Sequence, residues 1–489
     1  MRRNVYINLS AQWAAAASSI VSSVLVARMM QPEELGVFTV VMSVNAILLT
    51  VQMAGANEYL LYKGDTSRET RRKVYGLTVL TTLLICILLV AGRPVWISIY
   101  GDPGVADVAT VMAVQACIGM LCTPIYGMLV REEEFSKVGI NHTVSNLALA
   151  ACQVGFVWAG FSYMGLAYAT VVGGIVSLFL LVVLARHHLI LVPRFKGLGE
   201  IAAYGGKLAG SNMLTIIYVQ MPTMIIGALS GLAQSALYGR ANMIAQIYNQ
   251  TIARAIDPVM RARIASVKRE GGDPNEIYLQ MSHTLVTVSM LFFGFIAITA
   301  DLIVPLIFGP QWAPASLAMR ILTIGLVLTP LTGPTSAIVL AADRPGLLLR
   351  IRTLNVLLRL VILVITAPYG LAAIATGIAS TAYFNWAQSI GAVRTVADLK
   401  LADYFRNLAP GVVVAIVPLI MLAGTRMLFT VFGVDGWYML VSLTMAMAVF
   451  AFGALWVFKH ALFDEVRIFA SKITRILHGS MARLIGRER

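Results

Sequence analysis

Apolar runs of membrane-spanning length recur along the whole chain, and they constrain the fold more than any other feature. "GLTVLTTLLICILLVAG" (76–92) and "VVVAIVPLIMLAG" (412–424) mark two of them. A bilayer core about 30 Å thick is crossed by about 20 helical residues. Backbone groups in lipid must be satisfied internally, which leaves helices or a closed barrel. The two-residue alternation of barrel strands is absent. Only 12% of residues are charged and 58% are hydrophobic, whereas soluble domains carry about 25% charged residues. The chain is therefore read as an all-α polytopic membrane protein.

Fourteen helices fit the pattern, at 6–29, 36–60, 75–99, 105–130, 138–160, 163–185, 202–228, 232–256, 279–307, 315–340, 347–367, 370–393, 407–429 and 435–458. The net charge of +14 is concentrated between them: 29 of the 37 Lys and Arg lie in alternate connections and the two ends. Basic residues concentrate on the cytoplasmic side of membrane proteins. The count therefore predicts cytoplasmic termini and cytoplasmic loops at 61–74 and 259–277. It also removes nucleic acid as the reason for the basic charge. Cys86, Cys117, Cys122 and Cys152 all fall inside apolar segments, with no paired spacing, and read as packing residues. No metal ligand set and no cofactor motif is read.

Three landmarks recur in order. Gly101 in "WISIYGDP" and Gly309 in "VPLIFGPQW" are 208 residues apart; Pro124 and Pro330, in "CTP" and "LTP", are 206 apart; Gly165 and Gly370 are 205 apart. One unit is thus six spans, an even number, so both units should share one orientation around a central cavity. The expected domains are six-helix bundles at 1–200 and 201–400 in parallel pseudo-repeat, two additional C-terminal helices at 401–460, and a basic tail at 461–489. In the tail, Val466, Phe469, Ile473 and Ile476 recur at helical spacing among basic residues. That pattern predicts an amphipathic helix on an anionic leaflet.

The segment "SALYGRANMIAQIYNQTIARAIDPVMRARIASVKREGGD", with Tyr238, Gly239, Arg240, Ala241 and Pro258, resembles the polysaccharide transport family of the multidrug/oligosaccharidyl-lipid/polysaccharide exporter superfamily. "ARMMQPEELGVFTVV" and "FGPQWAPASLAMRILTIGLVLTP" are similar to that family's first hairpin and its ninth-to-tenth connection. The resemblance covers roughly 5–400 and is strongest to colanic-acid-type exporters. It implies flipping of an undecaprenyl-pyrophosphate-linked oligosaccharide, with membrane lipids and the polymerase and export machinery of a polysaccharide pathway as partners.

A basic side chain in hydrocarbon costs about 2.5–3.5 kcal/mol on insertion scales. At 1.5 Å per residue, Arg240 is about 13 Å and Arg359 about 18 Å along their spans. These are the deepest cations; Lys207, Arg254 and Arg320 are shallower. Arginine offers a bidentate fork to a diphosphate, or it snorkels to backbone carbonyls at a helix end. Asn242, Gln246 and Asn249 fall on one stripe of span eight, and Asn212 and Gln52 lie in spans seven and two. Such amides suit a sugar-binding wall or simple interhelical hydrogen bonds. Acids are confined to span ends, as at Glu58, Asp257 and Asp301, so no ion coupling is read. The alternative function is a cation-coupled small-molecule or multidrug antiporter of the same superfamily. A membrane polymerase or glycosyltransferase would need a long loop, and none exceeds roughly twenty residues.

Overall fold

The structure, a computed structural model, describes residues 2–53, 59–60, 67–189, 192–248 and 254–458. Seventeen α-helices and no strands occur among them. Nine spans are long and apolar enough to cross a membrane by length and composition. The count of fourteen is higher because it includes segments such as 138–160 and 347–367, where polar or charged residues dilute the apolar run. The tail at 461–489 lies outside the described residues.

The chain divides into two compact units. The first comprises Met1–Arg240, Ile307–Ala315 and Arg352–Gly377. It holds α1 (Arg2–Met29), α2 (Pro32–Met53), α3 (Arg68–Val90), α4 (Arg93–Tyr100), α5 (Pro103–Arg131), α6 (Phe135–Trp158), α7 (Ser162–Ala185), α8 (Gly199–Ser230) and the first half of α9 (Leu232–Tyr248). Span three, expected to be continuous over 75–99, breaks after Val90. Pro94 follows Arg93 at the start of α4, where its missing N–H costs nothing but would have cost a bond in mid-helix. Gly101, at φ 69°, then ends α4, and Asp102 caps α5 by accepting from the Gly104 N–H at 2.7 Å. Gly36 brings backbones together: a Cβ there would stand 2.1 Å from the Leu232 carbonyl oxygen. Small residues permit such approach where apolar burial alone gives no drive between helices in lipid.

The second unit comprises Ala241–Leu306, Ser316–Ile351 and Ile378–Arg489. Its helices are α10 (Arg254–Arg269), most of α11 (Pro274–Phe308), α12 (Ala315–Leu326), α13 (Gly333–Ala341), the start of α14 (Pro345–Thr366), most of α15 (Leu371–Ala397), α16 (Leu401–Val431) and α17 (Gly436–Val457). The predicted loop at 259–277 is largely the helix α10. Pro258 is the fifth residue of this helix, which continues past it to Arg269. Met260 and Ile264 of α10 are buried in one cluster with Ile338, Tyr278 and Tyr404. The repeated prolines also differ locally. Pro124 lies within the continuous α5, whereas Pro330 sits in a 3-10 turn that parts α12 from α13. Helices α16 and α17 pair and share an apolar cluster with α11, in which Leu422, Met439 and Leu443 meet Leu291, Phe295 and Ile298.

Candidate functional site

Arg240 stands midway along α9 and is 8% exposed. Its Nη1 donates to Ser23 Oγ of α1 at 2.6 Å. The guanidinium carbon is 5.2 Å from the Phe308 ring centroid and 5.1 Å from that of Trp312. These rings belong to a strap, 307–315, that packs within the first unit. Trp312 is fully buried, and its Nε1 donates to the Ala27 carbonyl at 2.8 Å; Gln311 Nε2 donates to the same oxygen at 3.0 Å. Arg28 Nε returns a bond to the Ile307 carbonyl at 2.9 Å. The strap thus satisfies one carbonyl in the last turn of α1, that of Ala27, which the helix cannot satisfy itself. Arg240 completes the aromatic lining from the α9 side.

Arg359, on α14, is 7% exposed. Its guanidinium lies 4.0 Å from the Tyr218 ring centroid, and Nη1 donates to the Tyr218 carbonyl at 3.1 Å. Desolvated cation–π contacts contribute about 2 kcal/mol. They soften the burial of a cation without neutralising it. Neither Arg240 nor Arg359 forms an ion pair among the described residues, and the buried Nε of each has no hydrogen-bond partner. Two buried positive charges are therefore left uncompensated in one unit, each with a free donor. An anion with several acceptor oxygens is the chemistry that would complete them.

The other predicted residues separate. Arg320 Nη2 is paired with Asp301 Oδ1 at 3.0 Å, and its Nε donates to the Ala297 carbonyl at 3.1 Å. Arg426 binds the other Asp301 oxygen and the Ile298 carbonyl. This triad was not read from the sequence, although its signal is present: Asp301 and Arg320 lie equally far from the tight turn at Pro310–Gln311, so an antiparallel helix pair sets them level. Gln52 is 2% exposed; its Nε2 donates to Thr82 Oγ1 at 2.6 Å and the Ala116 carbonyl at 2.9 Å, joining α2, α3 and α5. On α9, Asn242 is half-buried and Gln246 exposed. Lys207 and Asn212 fall on α8, and Arg254 begins α10. Asn249 lies outside the described residues.

This fold has counterparts among known proteins. The whole-chain fold matches the lipid II flippase MurJ in an inward closed conformation, with a TM-score of 0.73 at 12% identity over 94% of this chain and 99% of that one. An inward-facing multidrug resistance MATE family transporter of the MOP superfamily matches with a TM-score of 0.62 at 17% identity, over 83% of this chain and 98% of that one. At these identities the likeness is one of fold. In sequence, the chain is 25% identical over 313 residues to the succinoglycan biosynthesis transport protein ExoT of Rhizobium meliloti (strain 1021). That match spans 63% of this chain and 62% of the relative's length. These relatives are transport proteins, and this chain, with nine helices among the described residues long and apolar enough to cross a membrane, is a multi-pass membrane protein. Residues 25–317, more than half of the chain, match the family described as polysaccharide biosynthesis protein, and the chain belongs to that family.

Proposed function

We propose that this protein moves a lipid-linked oligosaccharide, carried on undecaprenyl pyrophosphate, from the cytoplasmic to the periplasmic leaflet of the bacterial inner membrane. The product serves surface polysaccharide assembly, and the mechanism is alternating access. The observation that carries this reading is the pair of buried, acid-free arginines, Arg240 and Arg359. A pyrophosphate has the charge and the oxygens that their free donors need, and an arginine fork matches a phosphate edge. The sugar head group crosses with the pyrophosphate while the polyprenyl chain stays in the hydrocarbon. The family and the ExoT relative support the substrate class, and the MurJ-like fold supports the transport mode. The offsets of 205–208 residues support two duplicated bundles as the moving parts.

The test is polysaccharide export in a deletion strain complemented with variants at matched membrane abundance. Arg240→Lys and Arg359→Lys keep the charge and should retain partial export; Arg240→Gln and Arg359→Gln remove it and should abolish export. Normal export by both glutamine variants would overturn the proposal.

A further inference from the structure

At one end of the first unit, Glu132, His187 and His188 bring a carboxylate and two imidazoles together. Glu132 follows the last residue of α5. The two histidines lie in a 3-10 turn, Arg186–His188, that continues α7. The ends of α5 and α7 are held side by side by Ile125, Leu129, Leu181 and Ala185, which share one apolar cluster. Residues 132 and 188 are thus juxtaposed by packing, although 56 positions separate them. One ligand atom from each of the three residues lies within 4.8 Å of the others.

We propose that Glu132, His187 and His188 form a binding site for a first-row divalent transition metal of the zinc class. The donor set of two imidazoles and one carboxylate suits such ions and leaves a further position for water. With metal–ligand bonds of about 2.0–2.2 Å, donor atoms in a tetrahedral site sit about 3.3 Å apart. The Glu132 Oε2 to His188 Nε2 distance is 2.9 Å, so that pair opens by a few tenths of an ångström. Glu132 and His187 are exposed and free to swing inward, while His188, 4% exposed, is the fixed ligand. A simple histidine–glutamate hydrogen bond would need one imidazole. Here a second ring stands 3.9 Å away, centroid to centroid, so a second imidazole donor is set beside the first. A bound ion would staple the turn after α5 to the turn after α7. Arg71 adds positive potential at His188 and weakens the site without being a ligand.

The experiment uses the full chain, purified in detergent with its affinity tag removed, titrated with Co²⁺ and followed by visible absorption, then with Zn²⁺ as competitor. Wild type should take up one Co²⁺ per chain and release it to Zn²⁺. His187→Ala and Glu132→Gln, both at exposed positions, should each lower the affinity at least about tenfold, while Arg71→Gln should raise it. Zn²⁺ should also raise the Tm of wild type and not that of His187→Ala. Absence of a Co²⁺ spectrum in wild type, or an unchanged affinity in both ligand variants, overturns the proposal. The readout is independent of transport, so the site stands or falls separately from the flippase reading.

Discussion

The Arg359 guanidinium lies over the ring of Tyr218 and also donates to that residue's carbonyl oxygen, so one residue of α8 meets the cation through two different groups. Only the first depends on the side chain. Tyr218→Phe keeps the ring face and should leave the thermal stability within about 0.5 kcal/mol of wild type. Tyr218→Leu removes the quadrupole and should cost about 1–2 kcal/mol, seen as a lower Tm in detergent. Equal stability of the two variants would show that the ring contributes no more than bulk.

Trp312 combines complete burial, a hydrogen bond to α1 and a contact with Arg240. Trp312→Ala should destabilise by about 3–5 kcal/mol through cavity formation and loss of that bond. Trp312→Phe should retain most of the packing and lose mainly the hydrogen bond, about 1 kcal/mol. Membrane abundance and Tm together measure the order wild type, Phe, Ala; Ala equal to Phe contradicts the packing described.

Asp301 serves two arginines, Arg320 and Arg426. Asp301→Asn removes the anion that both cations share and should lower the Tm in detergent. Adding Arg320→Gln removes one unpaired cation and should restore part of the loss. A strictly additive, further loss in the double variant would mean that the pair is not coupled.

The charge distribution predicts cytoplasmic loops at 61–74 and 259–277. In a cysteine-free background, Ser67→Cys and Ser266→Cys should resist a membrane-impermeant thiol reagent in intact cells and react after permeabilisation. Labelling of either in intact cells at the rate of an outer-loop control contradicts cytoplasmic placement.

The helical membrane fold was legible because lipid allows so few backbone solutions, and Arg240 and Arg359 were legible because a cation inside an apolar run has to be explained. Their surroundings were not. Phe308 and Trp312 are far from Arg240 along the chain, and an aromatic in an apolar sequence gives no sign that it faces a cation. The helix α10 was missed because its basic residues, Arg261, Arg263, Lys268 and Arg269, read as a cytoplasmic loop. Gln52 illustrates the reverse: its polarity in a span was evident, yet the sequence gives no hint that Thr82 and the Ala116 carbonyl take up its amide.

That amide bond has a timetable. Gln52 and the Ala116 carbonyl that accepts from it are 64 residues apart. At about 5–20 residues per second, the ribosome needs about 3–13 s to make the intervening chain. For that interval the only helix-borne acceptor of the pair already made is Thr82 on α3, 30 residues away. The nascent chain must therefore keep the rest of the Gln52 amide beside water, the insertion machinery or a provisional partner until α5 arrives. Replacing Gln52 with leucine would remove that wait and with it the hydrogen bonds that fasten α2 to α3 and α5, so a faster insertion would yield a looser bundle.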